Sequence, residues 1–161
     1  MSRLPRTPHS RAVHGAALAF ALFLGLSGTG PAFGAFAVDT DDIEVGDCFN
    51  TGADIKGAAP APLSVDVVPC EEPHQSEAFA VFDLPDGPHP GEEKVIATAD
   101  EKCGGEELSD YVGADAKLPD TIRGYYYYPH SVNWTEGDRS ITCFLADSAG
   151  PSTGSLRTSA P

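Results

Sequence analysis

Basic residues are scarce in this sequence: 10 Lys and Arg stand against 24 Asp and Glu, for a net charge of −14. Arg3, Arg6 and Arg11 all precede the first acidic residue, Asp39, so the remainder is more acidic still. Nucleic acid and anionic membrane surfaces are therefore excluded as partners, because like charges repel. The acidity serves solubility and names no cationic ligand. Long apolar runs are missing too. The longest, Ala12–Leu26, contains one ionisable residue, His14. It falls short of the roughly 20 residues that span a bilayer. Arginines precede it, and Ser27, Gly28, Thr29, Gly30 and Pro31 follow, in the order of a secretory leader. Ala35-Phe36-Ala37 fits the small-x-small rule for cleavage after Ala37, and Ala32-Phe33-Gly34 is the second match. Residues 1–37 thus read as a signal peptide, or as a membrane anchor if uncleaved. Either reading puts the remainder outside the cytoplasm, secreted or held at the cell envelope. Membrane contact is expected only through an uncleaved leader.

Assembled catalytic motifs are absent. There is no Gly-x-Ser-x-Gly and no His-Glu-x-x-His. The expectation is a protein that is not an enzyme and needs no cofactor. A secreted hydrolase built on His74 and Glu77 is the weaker alternative. Also missing is a close cysteine pair of the C-x2–4-C kind that zinc modules use. Cys70-x3-His74 followed by Glu77 therefore reads as scaffolding, with Pro73-His74 in a turn and the imidazole bonded to backbone or to Glu77. No metal is expected. Asp39, Asp41 and Asp42 lack the spacing and the distal glutamate of a calcium loop.

What is present is an even set of cysteines: Cys48, Cys70, Cys103 and Cys143. In a small exported domain such a set reads as disulfides. Three pairings are possible. Cys48–Cys70 with Cys103–Cys143 is favoured, because the first pair closes a short local loop.

The length suits one domain. The fold class expected is α+β: an antiparallel sheet of about five strands with one or two helices packed on one face, and two disulfides. Ile43–Phe49, Leu63–Cys70, Glu77–Leu84, Gly124–Tyr128 and Ser140–Leu145 read as strands, with a bend at Gly46-Asp47. Glu77–Leu84 is nearly continuous in apolar residues and should lie centrally. A helix should begin near Pro90, with Val95, Ala99 and Cys103 on its inner face, and a second should cover Glu106–Val112 with Gly113 as its cap. Asn133–Asp138 reads as a turn, and Asn133-Trp134-Thr135 matches a glycosylation sequon. The domain is expected over 43–147, followed by a flexible tail over 148–161, rich in Ser, Gly, Thr and Pro, in which Leu156 is the apolar anchor.

The aromatic residues cluster. On a strand, Tyr125 and Tyr127 face one way and Tyr126 and Tyr128 the other. Two readings stand side by side. Tyr126, Tyr128 and Trp134 could form an exposed platform that stacks sugar or peptide. Alternatively, the tyrosines pack across strands, which the strand preference of aromatics favours.

Four stretches in order, VGDCF (Val45–Phe49), VVPCEEPHQSEAF (Val67–Phe79), the isolated Cys103, and YYYYPHSVNWTEGDRSITC (Tyr125–Cys143), resemble the actinobacterial septum-formation domain family. The resemblance covers about residues 43–158. His74 and Glu77 match signature positions, and Ala78 departs from the larger aliphatic residue usual there. The resemblance implies an extracytoplasmic domain, often tethered behind an N-terminal membrane segment, with a role around division septa. It implies no reaction. The function expected is an exported non-catalytic envelope module, tied to septum formation or cell-wall growth through binding a protein or wall polymer. The alternative is a carbohydrate-binding module using Tyr126, Tyr128 and Trp134.

Overall fold

A computed structural model describes residues 34–51 and 62–157. Residues 1–33, 52–61 and 158–161, which hold most of the expected leader, lie outside the described residues. Nine elements follow in chain order: β1 (Phe36–Asp39), β2 (Cys48–Asn50), β3 (Ser64–Val68), β4 (Ser76–Asp83), α1 (Glu92–Cys103), α2 (Glu106–Val112), β5 (Ile122–Tyr127), α3 (Ser131–Glu136) and β6 (Ser140–Asp147). The strands form one six-stranded sheet in the order β1-β3-β2-β4-β6-β5, with every pairing antiparallel. This is the α+β architecture expected, with one strand more than the sequence suggested.

β4 and β6 are the centre. Their apolar runs are buried along most of their length, as strands covered on both faces must be. Their register runs from Ser76↔Ala146 to Asp83↔Ser140 and slips once, between Ala78 and Ala80. That bulge decides the packing. Without it, Ala78, Ala80 and Phe82 would share a face. The extra residue, Phe79, changes the parity. Ala78 therefore joins Phe49, Val67 and Phe144 on one face, and Phe79, Ala80 and Phe82 join the helices on the other.

α1 lays Val95, Ala99 and Cys103 onto the sheet at a spacing of four, as a 3.6-residue repeat requires. Glu92 and Glu93 in its first turn and Lys102 in its last complement the helix dipole. Cys103 then bonds Cys143 in β6 and fastens the helix to the sheet, while Cys48–Cys70 joins β2 to the loop after β3. Both pairings are the ones favoured from the sequence. α2 has the expected bounds and stops at Gly113, whose φ of 93° is open to glycine.

Four expectations change. Ile43–Phe49 contributes only its end to the sheet. Asp47 accepts the Glu44 amide at 2.9 Å and Gly46 takes a φ of 98°, so residues 44–47 form a tight turn before β2. The Asn133–Asp138 turn is instead the end of α3, which runs less than two turns and is too short to show a hydrophobic period. β1 was hidden in the supposed processing region. Phe36 and Ala37 pair with Val67 and Asp66, so cleavage after Ala37 would remove half of that strand, whereas cleavage after Gly34 would spare it. Finally, residues 148–157, read from composition as a loose tail, run back against the sheet. Ser152 pairs with His74 in both directions at 2.9 Å, and Leu156 packs on the helix-side core.

Candidate functional site

The stretch after β3 carries the residues best suited to chemistry, and the fold turns them inward. His74 and Glu77 are 2% and 1% exposed. The His74 ring meets the Glu72 carbonyl through Nδ1 at 2.9 Å, and its backbone holds Ser152. Glu77 is the hub of the tail contact. Its Oε1 accepts the Tyr111 hydroxyl at 2.7 Å and also the Ser155 hydroxyl, and its Oε2 accepts the Leu156 amide at 2.7 Å. Buried and holding three donors, the carboxylate has its hydrogen-bonding oxygens turned inward. Its role is to tie α2 and the C-terminal segment to β4. Burial, and then the bond to Glu77, raise the Tyr111 hydroxyl well above its ordinary range. Donor atoms of Cys48, His74 and Glu77 lie within 4.8 Å of one another. The Cys48 sulfur is already bonded to Cys70, however, so the set lacks the thiolate a metal would want.

The sequence did not single out Tyr111 or Ser155 as partners of Glu77. The signal was a carboxylate inside the apolar run EAFAVF, since an inward charge must find donors somewhere. Beside Tyr111, an open groove of about 430 Å³ runs between β4 and α2, lined by Val45, Phe79, Phe82, Lys102, Tyr111 and Arg157 among others.

The aromatic residues divide as the strand period requires. Tyr125 and Tyr127 pack on Phe144 on the face away from the helices, with Tyr127 at 4.6 Å between centroids. Tyr126 and Tyr128 lie on the helix side, 6.1 Å apart. Their hydroxyls donate to α1, Tyr126 to Asp100 at 2.8 Å and Tyr128 to Glu92 at 3.0 Å. Trp134 does not join them as an open platform. It is 6% exposed, its indole N–H donates to the Gly87 carbonyl at 2.8 Å, and the Arg139 guanidinium covers its ring at 3.9 Å. The three residues of the platform reading are thus two half-buried tyrosines and a core tryptophan, as the packing reading has it for the tyrosines.

These contacts set a titration. Tyr126 is pushed up to about 12, first by burial and then by the Asp100 carboxylate that holds its proton. Burial alone carries Tyr127 to about 12, and burial followed by Glu92 raises Tyr128. A tyrosine raised in the fold contributes stability that is complete below the ordinary value of 10.0 and is lost as pH climbs through about 12. Tyrosinate absorbance of the native protein should therefore lag that of the denatured chain, with stability falling between about pH 10 and 12. A native titration that superimposes on the denatured one would remove the hydroxyl–carboxylate pairs.

A third region is strongly acidic. Asp41, Asp83, Asp86 and Asp138 line one cleft around Arg139, which approaches Asp86 at 3.6 Å. Burial, and after it the neighbouring aspartates, raise the Asp138 carboxyl against the bond it accepts from Ser140. Asp39, Asp41 and Asp42 form an exposed trio nearby.

A family model described as septum formation matches residues 35–143, more than half of the chain. Comparisons with curated proteins and with solved structures return no match.

Proposed function

The chain belongs to the septum-formation family, and from that premise we propose that it works outside the cytoplasm as a non-catalytic module that binds a protein or wall component where the septum forms. The family match is the observation that carries this reading. Two disulfides agree with it, since they persist in oxidising, extracytoplasmic compartments. So does the placement of His74 and Glu77, whose polar atoms are committed to holding the chain together rather than facing a cleft. Binding then falls to the surface. No helix among the described residues is long and apolar enough to cross a membrane.

An export-competent fluorescent fusion in the native host tests the proposal. The expected result is enrichment at septa, with altered septum placement or spacing when the chain is deleted. Uniform distribution together with normal septa in the deletion strain would overturn it.

A further inference from the structure

A binding module needs an edge or face that a partner can reach, and β5 supplies an edge. It pairs with β6 on one side, and among the described residues no strand lies on the other. In an antiparallel edge strand every second residue turns its N–H and C=O outward. Proteins usually blunt such edges with lysine, proline, a bulge or a very short strand. β5 is blunted only at its start, where the Ile122 amide donates to the Pro119 carbonyl at 3.0 Å and the Ile122 carbonyl accepts from the Arg123 guanidinium at 3.3 Å, which leaves Gly124 and Tyr126 facing outward. IRGYYY carries a single charge, Arg123, and its register with β6 is unbroken from Ile122↔Asp147 to Tyr127↔Thr142. The opposite edge, β1, is shorter and ends in Asp39.

Gly124 adds a second feature. It sits inside β5, where glycine weakens a strand and often marks the close approach of another backbone. A Cβ placed there would meet nothing within 4 Å, and its φ is not one that demands glycine. Ile122 and Tyr126 flank it on the helix side, so the bare backbone leaves a notch between two side chains. Tyr125 and Tyr127 stand half-buried on the opposite face. A strand laid along this edge would find aromatic partners above and below it.

Charge selects the occupant. The carboxylates of Asp100 and Glu92, both exposed, stand at the hydroxyls of Tyr126 and Tyr128. The chain carries −14 overall, so a second copy would bring like charge to the same edge. We propose that the outer edge of β5 accepts an extended, basic segment of a partner protein as a seventh strand, with one apolar side chain seated over Gly124. The inference rests on the binding-module reading above and names the class of partner.

A Lys-Thr-Lys-Thr-Val-Thr peptide serves as the probe, because in antiparallel addition its valine opposite Gly124 and its lysines opposite Tyr126 and Tyr128 share the helix side, with amide hydrogen exchange followed by NMR on the oxidised full chain. The outward amides of Gly124 and Tyr126 should slow by about tenfold or more while those of β1 do not change. The same peptide with alternate amides N-methylated, and a counterpart with glutamate in place of each lysine, should leave β5 unprotected. Gly124→Lys fills the notch and adds a like charge for the incoming strand. It should abolish protection while near-UV circular dichroism stays that of the parent. Several results would overturn the inference: no slowing at β5, slowing that the N-methylated or acidic peptide reproduces, or protection that rises with protein concentration alone, which would make a second copy the occupant. Septal localisation is read separately. A chain that localises without β5 protection loses this inference only, and one that binds the peptide without localising loses the septal role only.

Discussion

Glu77→Ala is expected to destabilise the domain by about 3–5 kcal/mol, the range for removing one partner from a buried, charged network. The mutation strands three donors at once: the Tyr111 hydroxyl, the Ser155 hydroxyl and the Leu156 amide. Each orphaned donor in a dry site costs roughly 1–3 kcal/mol, discounted here because the tail can peel away to water. Glu77→Gln should cost less, about 1–3 kcal/mol, because one acceptor oxygen survives while the amide group opposes a donor. Urea denaturation measures both. Two further readouts separate this hub from generic packing loss. Hydrogen exchange at Ser152 and Leu156 should rise toward that of a free segment. The Tyr111 hydroxyl should also titrate lower than in the parent, because Glu77 contributes two of the causes that raise it. A denaturation midpoint unchanged from the parent would show that the C-terminal segment is held by something other than this carboxylate.

Reduction of both disulfides should be the largest perturbation of all. The bridges close separate loops, with sequence separations of 22 and 40 residues. Loop-closure entropy assigns them about 3 and about 4 kcal/mol, and because the loops do not overlap the two contributions should nearly add. A domain of this size nets only about 5–15 kcal/mol. The reduced protein should therefore be largely unfolded at physiological temperature. Cys103→Ala with Cys143→Ala should cost more than the pair at Cys48 and Cys70. The longer loop is one reason, and the burial of the sulfurs between α1 and β6 is the other. Thermal melts of the oxidised, singly deleted and reduced forms supply the comparison. A reduced protein that melts with the oxidised one would show that the apolar core suffices alone.

Much of the fold was legible because its causes are local. A valine-rich run, an apolar run and an alternating run of five to eight residues between turn signals read as strands, and Val95, Ala99 and Cys103 share a face wherever a helix forms. The division of Tyr125–Tyr128 between two faces follows from the two-residue period alone. The candidate site was legible in part. His74 and Glu77 were read as scaffolding from what the sequence lacks. Their partners were not readable, because Tyr111 lies 34 residues from Glu77 and Ser155 lies 78. Nothing in either residue's neighbourhood announces that contact.

Trp134 shows the opposite limit. Its type suggested an exposed platform, yet Gly87 and Arg139 enclose it, and only the crossing of distant segments brings them there. The bulge at Phe79 is similar. One unpaired residue reassigns Ala80 and Phe82 to the helix side, and its position depends on how β6 aligns with β4.

By itself, then, the order of residues determined the long strands and the two longer helices, the acidity and the set of cysteines whose bridges suit an oxidising compartment, and it favoured one sulfur pairing of three. These rest on periodicity, charge and short loop closure, which act along the chain. Which side chains are enclosed, which sheet edge stays open and where a buried carboxylate finds its donors were decided by the tertiary structure alone. Such outcomes depend on how far-separated segments meet, and the energy of those meetings belongs to no single stretch.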